Sequence, residues 1–177
     1  MAKNPISLID RVAGGFECNR MIATVEQRQR IDSRYTIGGI RPTPMIELRY
    51  SPKSGVNIAG LSEELLDIKE RILGLAEVGA GKIELSGDSA GIPAPYDRWL
   101  NRLIISAGSG PITAAVGANR EFDITANPEC LRVLASFFSV PNHAQLGWHM
   151  HLEFYSGNQW IAEHSEPTVI SLRKPLS

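Results

Sequence analysis

The sequence predicts an α+β fold built from two tandem ββαββ units, 44–110 and 111–177, which form antiparallel sheet backed by two helices. Three observations lead there. Apolar residues alternate with period two in short runs bounded by turn-forming residues. Two longer runs switch to helical spacing, from Ser62 to Gly79 and from Asn127 to Pro141. The order of these runs then repeats at a nearly constant offset. The two units are expected to pack as one globular domain, with residues 1–43 as an N-terminal extension or arm.

The first unit begins with MIELRY, where Ile46, Leu48 and Tyr50 share a face. SPKSG is a turn, and GVNIAG returns with Val56 and Ile58 inward. Ser62 is the expected helix cap, and Glu63 and Glu64 place acids in the first turn, where the macrodipole favours them. Leu65, Ile68, Ile72 and Leu75 form the buried stripe, and Gly79 and Gly81 end the helix. KIELSG and RLIISAG are strands separated by the looser DSAGIPAPYDRW.

The second unit opens with PITAAVGA and FDITA as strands around a turn at NRE. Asn127 caps a helix whose first position is Pro128, a strong start signal because proline has no amide hydrogen to leave unpaired. Leu131, Leu134, Phe137 and Phe138 supply its buried stripe, and Pro141 stops it. GWHMHLEFY, from Gly147 to Tyr155, is the next strand, and PTVISLRK closes the unit.

The repeat is one of pattern rather than identity. Ile46 and Ile112, Val56 and Phe122, Ile58 and Ile124, Leu65 and Leu131, Ile68 and Leu134, and Ile72 and Phe138 all lie 66 apart. This spacing predicts an internal duplication.

GWHMHLEFY carries the strongest functional signal. Trp148, Met150, Leu152 and Phe154 fall on one face, and His149, His151, Glu153 and Tyr155 on the other. The polar face aligns two imidazoles and a carboxylate at about 7 Å intervals. Zinc or iron(II) accepts that ligand set, with His143 or His164 near enough in sequence to complete it. The plain alternative is the solvated or partner-binding face of a sheet. Trp160 and the turn SGNQ lie close by and add the aromatic and polar groups of a binding surface. The matching positions of the first unit are Lys82, Glu84 and Ser86, so the His-Glu set belongs to the second unit alone.

Composition excludes several classes. The chain has 177 residues, 43% of them hydrophobic, and a net charge of -1, so bulk charge does not suggest a polyanion-binding protein and nucleic acid is not an expected partner. Residues 1–44 carry seven Lys/Arg against four Asp/Glu, a local basic excess that keeps a partner-touching arm as a minority reading. No apolar run is long enough to span a membrane, and no signal peptide is evident, so the expected location is the cytoplasm. Cys18 and Cys130 lack metal-ribbon spacing, and Cys130 falls at an apolar helical position that suits an inert thiol. GLAEVGAGK fails the Walker spacing, and no nucleophile elbow occurs. No catalytic residues are assigned.

The stretch from Gly117 to Leu172 resembles a family of small bacterial immunity proteins, immunity-protein family 32. The resemblance rests on a strand ending near Gly117–Asn119, the helix CLRVLASFF, the His-rich strand HMHLEF and a final strand preceded by Trp160. Its distinctive motif is His149-x-His151-Leu152-Glu153. It implies a cytoplasmic, non-enzymatic protein that binds and neutralises one cognate toxin, with His149, His151, Glu153, Tyr155 and Trp160 as the partner-binding residues. Two alternatives stay open: a general protein-interaction module, and a metal-dependent enzyme using His149, His151 and Glu153. Exposed edge strands also leave room for a homodimer.

Overall fold

The computed structural model describes residues 45–174, which lie within one compact unit, Pro42–Ser177. The expected N-terminal arm lies outside the described residues. The chain runs β1 (Ile46–Ser51), β2 (Gly55–Gly60), α1 (Ser62–Val78), β3 (Lys82–Asp88), β4 (Arg98–Trp99), β5 (Arg102–Ala107), β6 (Thr113–Val116), β7 (Glu121–Ala126), α2 (Pro128–Phe137), β8 (His149–Leu152) and β9 (Thr168–Leu172). The result is a mixed α/β fold, a curled sheet with two helices.

The sheet order is β6-β7-β5-β3-β1-β2-β9-β8, with the short β4 pairing on β1. The expectation of an antiparallel sheet is corrected here. β1 pairs β3, β2 pairs β9 and β5 pairs β7 in parallel, while β1–β2, β3–β5, β6–β7 and β8–β9 are antiparallel. The physical reason lies in the connections. The short turns between β1 and β2 and between β6 and β7 force antiparallel pairing, whereas each parallel pair joins strands that are not consecutive in the chain, with at least one other strand between them.

The middle joint of the sheet is narrow. β1 and β3 share only the pairs Ile46↔Gly87 and Glu47↔Asp88. At the far side the curl brings β6 against the segment 160–166. The Ile112 N–H donates to the Trp160 carbonyl at 2.7 Å, and the Ala162 and Glu166 amides donate to the Ile112 and Ala114 carbonyls, each at 2.8 Å. That segment covers the outer edge of β6. No other described strand pairs with β8 beyond β9.

The helix ends follow local chemistry, with one correction. Leu61, not Ser62, is the N-cap residue of α1, and its amide donates to the Glu64 carboxylate at 2.7 Å. A carboxylate three residues on reaches back to the cap amide and competes well with a serine one residue later. Gly79 ends α1 in the left-handed conformation, φ 71°, with its amide on the Leu75 carbonyl at 2.9 Å. Asn127 caps α2 as expected, its Oδ1 accepting from the Cys130 amide at 2.8 Å.

One core serves the whole unit. Ile46, Leu48, Ile58, Leu65, Ile68 and Ile72 meet Leu103, Ile105, Phe122, Ile124, Leu131, Leu134 and Phe138, all of them fully buried. Each such side chain contributes roughly 1.5–3 kcal/mol relative to exposure. α1 and α2 pack on each other, which ties the first half of the chain to the second. Asn57, one of the few buried polar residues, is satisfied across the β2–β9 joint by Ser171 Oγ at 3.0 Å. Arg173, at the end of β9, donates to both Glu64 carboxylate oxygens, at 2.9 and 3.1 Å, and pins the last strand to the start of α1.

Candidate functional site

β8 is shorter than the sequence suggests, four residues instead of nine, because its pairing with β9 spans only His149↔Ser171 to Leu152↔Thr168. Its facing is as the alternation implies. Leu152 is 2% exposed, and Trp148 and Phe154 are half-buried against the core. Met150 departs from this pattern at 37% exposure, since the end strand of a sheet has less to cover it. His149, His151, Glu153 and Tyr155 are all exposed.

The polar face is partly ordered from within. Gly147, at φ 99°, turns the chain into the strand, and its carbonyl lies 2.9 Å from His149 Nδ1. The His149 and His151 rings meet edge to face with centroids 5.0 Å apart. Beyond them, four of the five residues singled out from sequence line one cavity of about 330 Å³: His151, Glu153, Tyr155 and Trp160. Asn158 and Ile161 from the following loop complete its wall, with Val133 and Phe137 from α2. His149 stands outside it, against His151.

The loop that carries Tyr155 and Trp160 is braced locally. Asn158 donates its amide to the Tyr155 carbonyl and accepts the Trp160 amide on Oδ1, both at 2.9 Å. The Trp160 carbonyl accepts from the Ile112 amide, just before β6. Trp160 is therefore held in place, while Tyr155, 67% exposed, sits at the rim. Glu153 makes no ion pair or hydrogen bond among the described residues.

Sequence reasoning missed the helix wall. Phe137 was expected in the buried stripe, but it is half-buried and faces the cavity with Val133. The signal was there: Val133 and Phe137 are four apart, so they form a second stripe beside Leu131, Leu134 and Phe138.

Metal ligation depends on a third and fourth ligand. Among the described residues no three His, Cys, Asp or Glu side chains come together to hold an ion. His143 and His164 are exposed and do not join the His149–His151 pair. Cys130 is buried at the start of α2, and burial, with the nearby Glu129 charge, pushes its thiol above the ordinary range. A second cavity of about 400 Å³, between Leu61, Glu63, Leu146, Leu172 and Arg173, contains none of the residues singled out. No described helix is long and apolar enough to cross a membrane.

Fold and site together define a small α/β domain with an aromatic-walled groove beside a sheet edge that no described strand pairs with. No protein-family model matches the chain, and no curated protein or solved structure matches it.

Proposed function

We propose that this protein is a non-enzymatic binding protein that neutralises a cognate bacterial toxin in the cytoplasm, using the face formed by His149, His151, Glu153, Tyr155 and Trp160. One observation carries the binding part of this reading. Residues chosen from sequence alone converge on a single open cavity beside a strand edge that has no partner among the described residues. Aromatic side chains around a concavity, with polar groups at the rim, have the make-up of a protein-binding hot spot. The toxin as partner rests on the resemblance of the segment Gly117–Leu172, and on His149-x-His151-Leu152-Glu153 within it.

The same reading includes an internal duplication. In its support, the strand pairs repeat in kind: β1–β2 and β6–β7 are antiparallel, β3–β5 and β8–β9 are antiparallel, and β2–β9 and β5–β7 are parallel.

Co-expression tests the reading. The open reading frame beside this one is induced in a laboratory bacterium with and without this protein, and survivors are counted. Killing by the neighbour and rescue by this protein is the expected result. A harmless neighbour, or killing that this protein does not relieve, overturns it.

A further inference from the structure

The groove has a chemical bias that narrows its partner. Its walls include three aromatic rings, Phe137, Tyr155 and Trp160. Its carboxylate, Glu153, has no internal partner among the described residues. From Val133 to Leu172 the chain has three glutamates and neither Lys nor Arg. Of the three, Glu166 accepts from the Tyr50 hydroxyl at 3.4 Å, which leaves Glu153 at the groove and Glu163 beyond it. Aromatic faces and an unpaired carboxylate together favour a cation. At about 330 Å³ the space lies at the low end of ligand pockets and has room for one long side chain.

The groove also sits in line with β8. Glu153 follows directly on the strand and continues the face of His149 and His151. An extended segment pairing with the edge of β8 that no described strand occupies would present every second side chain to this face, at intervals of about 7 Å.

We propose that the groove is a subsite for a lysine or arginine side chain carried by an extended, basic segment of the partner protein, which adds to β8 as a further strand. This rests on the binding reading above and names the chemistry of what is bound. Glu153 pairs with the cation, Tyr155 and Trp160 flank it, and the backbone of β8 fixes the register. The bias toward a basic segment comes from Glu153, a carboxylate without a partner among the described residues, set in the same wall as the Tyr155 and Trp160 rings.

The test uses a fluorescent octapeptide alternating arginine with threonine, a second in which glutamine replaces each arginine, and a third with the arginine sequence N-methylated at alternate amides. Binding to the full chain is followed by polarisation. The expected result is saturable binding of the first peptide, at least tenfold weaker binding of the other two, and at least a tenfold loss with Glu153→Gln or Tyr155→Ala. Both positions are exposed, so these variants keep the fold, which circular dichroism checks. A Glu77→Gln variant, exposed on α1, leaves binding unchanged. Equal binding of the glutamine peptide overturns the cation subsite, and equal binding of the methylated peptide overturns strand addition. No binding at millimolar peptide overturns both. So does dissociable self-association through β8, because a second copy is then the occupant. Failure here separates from failure of the toxin reading: a Glu153→Gln protein that rescues growth as well as the parent removes the subsite and leaves neutralisation standing.

Discussion

β3 and β8 occupy matching places in the sequence pattern, yet the fold treats their polar faces in opposite ways. β3 lies inside the sheet, between β1 and β5. Its outward charges are answered from within: Glu84 pairs with Lys82 on its own strand and with Arg102 on β5, and Arg102 also reaches Glu121. The hydrogen bond and charge of Lys82, followed by Arg102, hold the Glu84 carboxyl below its ordinary value of 4.5. β8 lies at the end of the sheet, and among the described residues His149, His151 and Glu153 have no such answering charges. A polar face neutralised by its neighbours is complete in itself. One without such partners among the described residues keeps its charge open to a partner. That contrast separates the candidate site from the rest of the sheet better than the residue types do.

The largest expected effects test whether the two halves are one cooperative body. Phe138→Ala should cost about 3–5 kcal/mol and Ile72→Ala about 2–5 kcal/mol, since both side chains are fully buried in the shared core. Each should lower the single unfolding transition of the whole unit. Two separate transitions in calorimetry would show that the halves fold independently. Arg173→Met comes next. It leaves Glu64 facing a hydrophobe in a nearly buried setting, and a loss of roughly 1.5–3 kcal/mol in urea unfolding is expected.

The double variant His149→Ala, His151→Ala sharpens the comparison itself. Both side chains are exposed, so each change should shift stability by no more than about 0.5 kcal/mol while growth rescue is lost. Unfolding of this variant with rescue intact would reverse the assignment, making the pair structural. Glu84→Gln on β3 should do the opposite, leaving rescue untouched. Its effect on stability should depend on pH. A carboxyl held low in the folded state contributes fully above its unfolded value, and that contribution fades as pH falls through the folded value. The gap in melting temperature between parent and variant should therefore be present at pH 7 and close toward pH 3. Being exposed, the group should produce only a small gap.

Eight of the nine described strands, both helices and most of their inward faces were legible before any coordinates; the two-residue β4 was not, because DSAGIPAPYDRW carries no alternation. The alternation of MIELRY and FDITA, and the helical spacing of Leu65, Ile68 and Ile72, each reflect burial that a short stretch of chain expresses by itself, whereas β2, read from GVNIAG as alternating, is buried along its whole length between β1 and β9. The cap at Asn127 and the stop at Gly79 were legible for the same reason, because a cap is a contact between near neighbours. The Glu64 cap was misread as Ser62, since two local solutions competed and the sequence does not rank them.

The candidate site divides along the same line. His149, His151 and Glu153 stood out as a row on one strand, and the alternation alone put them outward. Their meeting with Val133 and Phe137 did not stand out, because it depends on where α2 lies against the end of the sheet. What the sequence determined by itself was periodicity, and with it which side of each element is apolar. What only the tertiary structure decided was which strands become neighbours. Parallel pairing of β2 with β9 and β5 with β7, the narrow β1–β3 joint and the free edge of β8 come from long-range closure of the curled sheet. Periodicity arises from contacts within a few residues, whereas pairing depends on how distant segments share one core, and no local pattern encodes that choice.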